Sequence, residues 1–175
     1  VEILVDRWGI SHIYAETEHD LFFVQGWNAA RDRPFQLELW RRQATGTVAV
    51  IPGPRELERD TGTMLFKFRR DMQQELNHYH ERGPAVFGAF TRGINAYIEL
   101  TENDPSLLPV EFRMLGTTPG KWTPEVAVSR LNGLYANVTS EVRNAMLLQT
   151  MDAATLRSLS DFRPRQPELS DHGVD

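Results

Sequence analysis

Two short strands open this chain, and no later segment reads as a third. Val1–Val5 (VEILV) and Ser11–Ala15 (SHIYA) are rich in strand formers, and Trp8-Gly9 supplies the turn between them. A hairpin of two strands is marginal in water and becomes stable when it joins a larger sheet. The remaining sequence is helical or loop-like. The expected class is therefore α+β: a mostly helical chain with an N-terminal strand pair. The sheet that the pair needs must come from elsewhere, which points to a partner.

Thr17-Glu18-His19-Asp20 carries helix-start chemistry, and apolar positions recur at helical spacing from Asp20 to about Thr45. Pro34 predicts a break within that run, and Gly46, Pro52, Gly53 and Pro54 punctuate its exit. Asp60–Arg82 reads as one helix and Pro84 to about Leu100 as another. Asn103–Pro109 and Thr117–Gly120 read as loops. Thr123-Pro124-Glu125 has an N-cap, a proline at the first helical position and an acid in the first turn, opening a helix to about Asn137. Helices over Ser140–Met151 and Asp152–Ser160 follow. Beyond Phe162 few apolar anchors remain, so residues 1–162 are expected to form the domain and 163–175 a tail.

A length of 175 residues favours one domain over two. With 41% hydrophobic and 25% charged residues, the chain falls outside the disordered and fibrous classes. No apolar run approaches the roughly 20 residues that span a bilayer. No signal-peptide pattern opens the chain, and Val1 stands where an initiator Met would be; a processed start, such as a removed export signal, is the expectation. Without cysteine there is no disulfide and no thiolate chemistry within these residues. The net charge of −5 argues against a nucleic-acid partner, which calls for a basic face.

Arg31, Asp32, Arg33, Glu38, Arg41 and Arg42 crowd one helical stretch. They fit a solvated face laced with intrahelical pairs, each contributing about 0.2–0.5 kcal/mol. They equally fit arginines buried against carboxylates, because the planar guanidinium suits paired contacts and Trp27, Phe35, Leu37, Leu39 and Trp40 are interleaved with them. His78 and His80 lie two apart in helical sequence, where side chains diverge, so they do not form a metal pair. Nucleophile-elbow, phosphate-loop, dinucleotide and zinc-protease motifs are all absent. The chain carries no self-contained catalytic motif.

In Leu134-Tyr135-Ala136-Asn137-Val138-Thr139-Ser140-Glu141 one helix is expected to end near Asn137 and Ser140 to cap the next. Glu141 would then be a first-turn acid favoured by the helix dipole. The same carboxylate could instead serve a hard cation, whose other oxygen donors would come from other segments.

Six motifs then occur in a recognisable order: Asp6, Gly9, His12, Ile13 and Ala15; Gly26, Ala30, Asp32, Arg33 and Gln36; Arg41, Arg42, Ala44 and Gly46; Arg92-Gly93-Ile94-Asn95-Ala96-Tyr97-Ile98; Leu108-Pro109-Val110-Glu111-Phe112; and Lys121-Trp122-Thr123-Pro124. Over about Val1 to Met151 the chain resembles the α (small) subunit of the penicillin acylase family, the N-terminal-nucleophile amide hydrolases. The resemblance implies a precursor that cuts itself into two chains and an αββα sandwich completed by the strand pair, with 163–175 near the processing site. It puts the nucleophile at the N-terminus of the β (large) subunit, so no catalytic residue is expected here. It implies Glu141 as one ligand of a structural calcium whose other ligands lie elsewhere.

Leu134, Tyr135 and Val138 resemble the lining of the acyl pocket, Tyr135 foremost. Only Val138 and Thr139 separate Asn137 from Ser140-Glu141, whereas penicillin G acylases have a longer segment with an Arg-Phe gate; a phenylacetyl preference is not implied. The acyl group could belong to a β-lactam, an acyl-homoserine lactone, an acylated amino acid or a lipopeptide. A periplasmic or secreted location follows from the family. A non-catalytic helical binding module and an unprocessed, inactive family member are the competing expectations.

Overall fold

The computed structural model describes residues 1–66, 71–132 and 137–160, without the side chains at 66, 131–132, 137–141 and 160. The hairpin is present: β1 (Glu2–Val5) pairs antiparallel with β2 (Ser11–Tyr14), Ile3 opposite Ile13. Helix α1 (Glu18–Asp32) starts at Thr17, whose hydroxyl accepts the Asp20 N–H at 3.1 Å. The break occurs at Arg33, and Pro34 begins α2 (Pro34–Thr45) at a position where its missing N–H costs nothing. Gly46, at φ 67°, ends α2 in the left-handed conformation that glycine adopts without penalty.

Two expectations are corrected between residues 57 and 147, and one helix is added. The single helix expected over Asp60–Arg82 is two, α3 (Leu57–Phe66) and α4 (Met72–Tyr79). Asp71 is the reason: its backbone is extended and its carboxylate caps α4 by accepting the N–H groups of Gln73 and Gln74. After α5 (Gly83–Asn103), the stretch between the expected loops Asn103–Pro109 and Thr117–Gly120 forms a short helix, α6 (Val110–Leu115), set off by Pro109 and closed by Gly116 at φ 59°. Thr123 does precede α7 (Pro124–Asn132), with its hydroxyl accepting the Val126 N–H at 3.4 Å. Ser140 does not cap a helix: α8 spans Asn137–Leu147, so Ser140 and Glu141 lie within it.

The chain divides into two compact units, Val1–Leu134 and Tyr135–Asp175. In the first, α1 and α5 cross so closely that a methyl group on Gly26 would collide with the Phe90 carbonyl, and one on Gly93 with that of Phe23. Ala30, Leu37, Ile94, Ile98, Trp122 and Val126 fill the core around that crossing, where α2 and α7 also pack. The second unit holds α8 and α9 (Ala153–Ser160), the latter capped by Asp152, which accepts the N–H groups of Ala154 and Thr155 at 2.9 Å.

Candidate functional site

Of the four residues assigned to the site from sequence, Leu134 and Tyr135 lie outside the described residues. Val138 and Glu141 fall in α8, with their side chains outside the described set. What the structure does describe is the framework leading to that segment, and it assigns most of the motif residues a structural task.

Asp6 builds the hairpin turn. Its Oδ1 accepts the N–H groups of Trp8 at 2.8 Å and Ile10 at 2.9 Å, and its Oδ2 lies 3.3 Å from His12 Nε2. Gly9 completes the turn at φ 79°. The bond from the Ile10 N–H, with help from His12 and Trp8, holds the Asp6 carboxyl below the ordinary aspartate range. The motif D-x-x-G-x-x-H is thus a turn and its buttress. Asp32 is engaged by its own helix, by Arg31 Nε at 3.0 Å and Asn28 Nδ2 at 3.2 Å.

The crowded arginines resolve in favour of burial at one point. The Glu38 side chain is 0% exposed, and Arg41 and Arg42 are 18% and 10% exposed. Arg41 donates from Nε and Nη2 to the two Glu38 oxygens, both at 2.8 Å. Arg42 Nε lies 2.7 Å from Glu38 Oε1, an ion-pair contact in which the N–H is not aligned for a hydrogen bond. The backbone N–H of Gly120 donates to Glu38 Oε2 at 2.8 Å, and Arg42 Nη2 donates to the Thr117 hydroxyl at 2.9 Å. The carboxylate bound to its fork raises Arg41 above the ordinary guanidinium value against the effect of burial. This node ties α2 to the loop that leads into α7. The i, i+3 and i, i+4 spacing of Glu38 to the two arginines is the signal that could have singled it out.

Two further anchors had no structural task assigned from sequence, although Asn95 belongs to one of the motifs. Asn95 on α5 grips the entrance to α7: its Nδ2 donates to the Trp122 carbonyl at 2.8 Å and its Oδ1 accepts the Trp122 N–H at 2.7 Å. The buried Asp60 accepts the N–H groups of Val48 and Ala49 at 2.9 and 2.8 Å. Among the described residues no group of three His, Asp or Glu side chains gathers as a metal site. His78 lies in α4, whereas His80 is beyond its end in extended backbone and accepts the Arg82 N–H at its Nδ1.

Comparison with known proteins names this framework. Residues 1–168 match the family model for penicillin amidase. The chain is 30% identical over 156 residues to penicillin G acylase of Escherichia coli, covering 86% of this chain and 18% of that protein. It is 33% identical over 136 residues to the penicillin acylase 2 proenzyme of Pseudomonas sp. (strain SE83), covering 77% of this chain and 17% of that protein. A solved structure of the thermostable penicillin G acylase from Alcaligenes faecalis superposes with a TM-score of 0.70 at 26% identity, over 91% of this chain and 88% of the matched chain. The chain thus spans under a fifth of the length of these curated relatives, and it belongs to the penicillin amidase family.

Proposed function

We propose that this chain is the α subunit of a self-processing amide hydrolase that cleaves an N-acyl amide to a carboxylate and an amine. One observation carries the reading. The curated relatives are more than five times as long as the region they share with this chain, yet 88% of the matched chain in the solved acylase is covered by it. That combination fits a long precursor cut into a short and a long chain. The nucleophile then stands at the new N-terminus of the β subunit, where its α-amine accepts the proton of the attacking hydroxyl or thiol, directly or through water. Donors of the β subunit stabilise the tetrahedral oxyanion.

In this reading the hairpin joins the sheets of the β subunit as part of an αββα sandwich. Leu134, Tyr135 and Val138 line the acyl pocket, with Tyr135 as its main wall. Glu141 offers one hard oxygen donor to a structural calcium, the other ligands coming from elsewhere. Calcium would supply cross-linking of segments and no chemistry of the amide. The same reading puts the protein in the periplasm or outside the cell; no described helix is long and apolar enough to cross a membrane.

N-terminal sequencing and intact mass of the purified native protein, its components separated under denaturing conditions, test the reading. A second, larger chain beginning with Ser, Thr or Cys is expected and names the nucleophile. A lone 20.1-kDa chain that is folded without a companion overturns it. In the two-chain enzyme, Tyr135→Ala is expected to raise KM for the preferred acyl donor about tenfold or more. An unchanged KM removes Tyr135 from the pocket. Chelation is expected to lower the melting temperature of the wild type and to leave Glu141→Gln unaffected.

A further inference from the structure

Around Glu38 the charges of the described residues do not balance. Two guanidiniums, Arg41 and Arg42, share one fully buried carboxylate. A third, Arg130 of α7, lies 4.9 Å over the Trp40 ring of α2 and meets no carboxylate among the described residues. This local surplus of positive charge stands on a chain whose net charge is −5. A surplus in a part-buried setting is unfavourable unless a counter-charge reaches it.

Arg41 is the group built to receive one. Its Nε and Nη2 are committed to Glu38, while its Nη1 has no acceptor among the described residues. The backbone of Gly120 lies against the guanidinium, so closely that any side chain at Gly120 would collide with it. The fork is therefore fixed in orientation, and ordering it on binding costs little. A planar, fixed guanidinium with a free edge suits a carboxylate better than any other side chain.

We propose that Arg41 is a docking point for an acidic side chain of the β subunit, and so helps to hold the two chains together. The inference rests on the two-chain reading above and deepens it by locating part of the contact. The occupant is assigned to the β subunit because this chain is under a fifth of the length of its relatives, which leaves most of the protein to cover this face.

The test uses the complete two-chain protein, as wild type, Arg41→Gln and Arg41→Lys. Chain separation is followed by size exclusion across a urea series at about 0.05 and 1 M NaCl, since salt screens charge pairs. The wild type is expected to separate at lower urea in high salt. Arg41→Gln is expected to weaken association about tenfold and to diminish that salt response, and Arg41→Lys to retain more of it. A salt response identical in Arg41→Gln and wild type overturns the proposal and leaves Arg41 serving Glu38 alone. Should Arg41→Gln fail to fold, a crystal structure of the wild-type pair decides. A β-subunit carboxylate within about 4 Å of the guanidinium supports the assignment, and water, a free anion or an acid of this chain there overturns it. Recovery of no second chain is a different result, and it is the two-chain reading that then fails.

Discussion

Glu38 holds one negative charge between two positive ones, and its removal strands both. Glu38→Gln keeps the shape of the side chain and should destabilise the protein by about 3–5 kcal/mol in urea denaturation, the penalty for breaking a buried ion pair from one side. The glycines divide by what surrounds them. Gly93→Ala forces a methyl into the Phe23 carbonyl and should cost about 3 kcal/mol or more. Gly62→Ala, in α3 with open space around it, should instead stabilise by about 0.5–1 kcal/mol in the same assay. Asp6, Asp20, Asp104 and Asp152 all hold their protons less tightly than free aspartate, each because of hydrogen bonds to the ionised form. Their contribution is present above the ordinary aspartate value of about 4 and is lost as pH falls through their lower folded values. Thermal melts should therefore drop below about pH 4, with a shallower drop in Asp6→Asn. At this scale the sequence was half legible. The crowding of Glu38, Arg41 and Arg42 on one helix allowed burial against one another as one of two readings. Their burial depends on Gly120 and Thr117, 82 and 75 residues distant from their partners, and no local pattern reports that.

Helix α7 is fixed before it begins, by the paired bonds between Asn95 and the Trp122 backbone. Asn95→Leu fits the same space but orphans that N–H and carbonyl, and should cost about 2–4 kcal/mol in the same denaturation experiment. Hydrogen exchange should show faster opening of the first turn of α7 in this variant, with the α1–α5 crossing protected as before. The hairpin, the break at Pro34, α5 and the Thr123-Pro124 start of α7 were all readable, because caps, prolines and period carry local physical causes. Helix α6 was not: six residues are under two turns, too few for a helical period to emerge between Pro109 and Gly116. The interruption at Asp71 was missed because a helical apolar pattern on both sides outweighed one good capping residue.

At the scale of the whole chain, the surface is unfinished. Trp8 is 73% exposed at the hairpin tip, Leu4, Val5, Ile10 and Tyr14 are exposed along the hairpin, and among the described residues neither edge of the two-stranded sheet has a neighbouring strand. Helix α6 adds exposed Val110 and Met114. Amides of Glu2–Val5 and Ser11–Tyr14 should exchange within seconds in the chain expressed alone and become protected in the two-chain protein; equal exchange in both would mean that the sheet gains no neighbour. The motifs that identified the family share one property: at Asp6, Gly26, Arg42, Gly93, Asn95 and Trp122 the side chain, or its absence, builds the frame. A genome search keyed to these letters therefore retrieves frames. A cousin whose nucleophile had mutated away would score as well as a working enzyme; on the two-chain reading proposed above, the second key such a search needs lies in the β subunit.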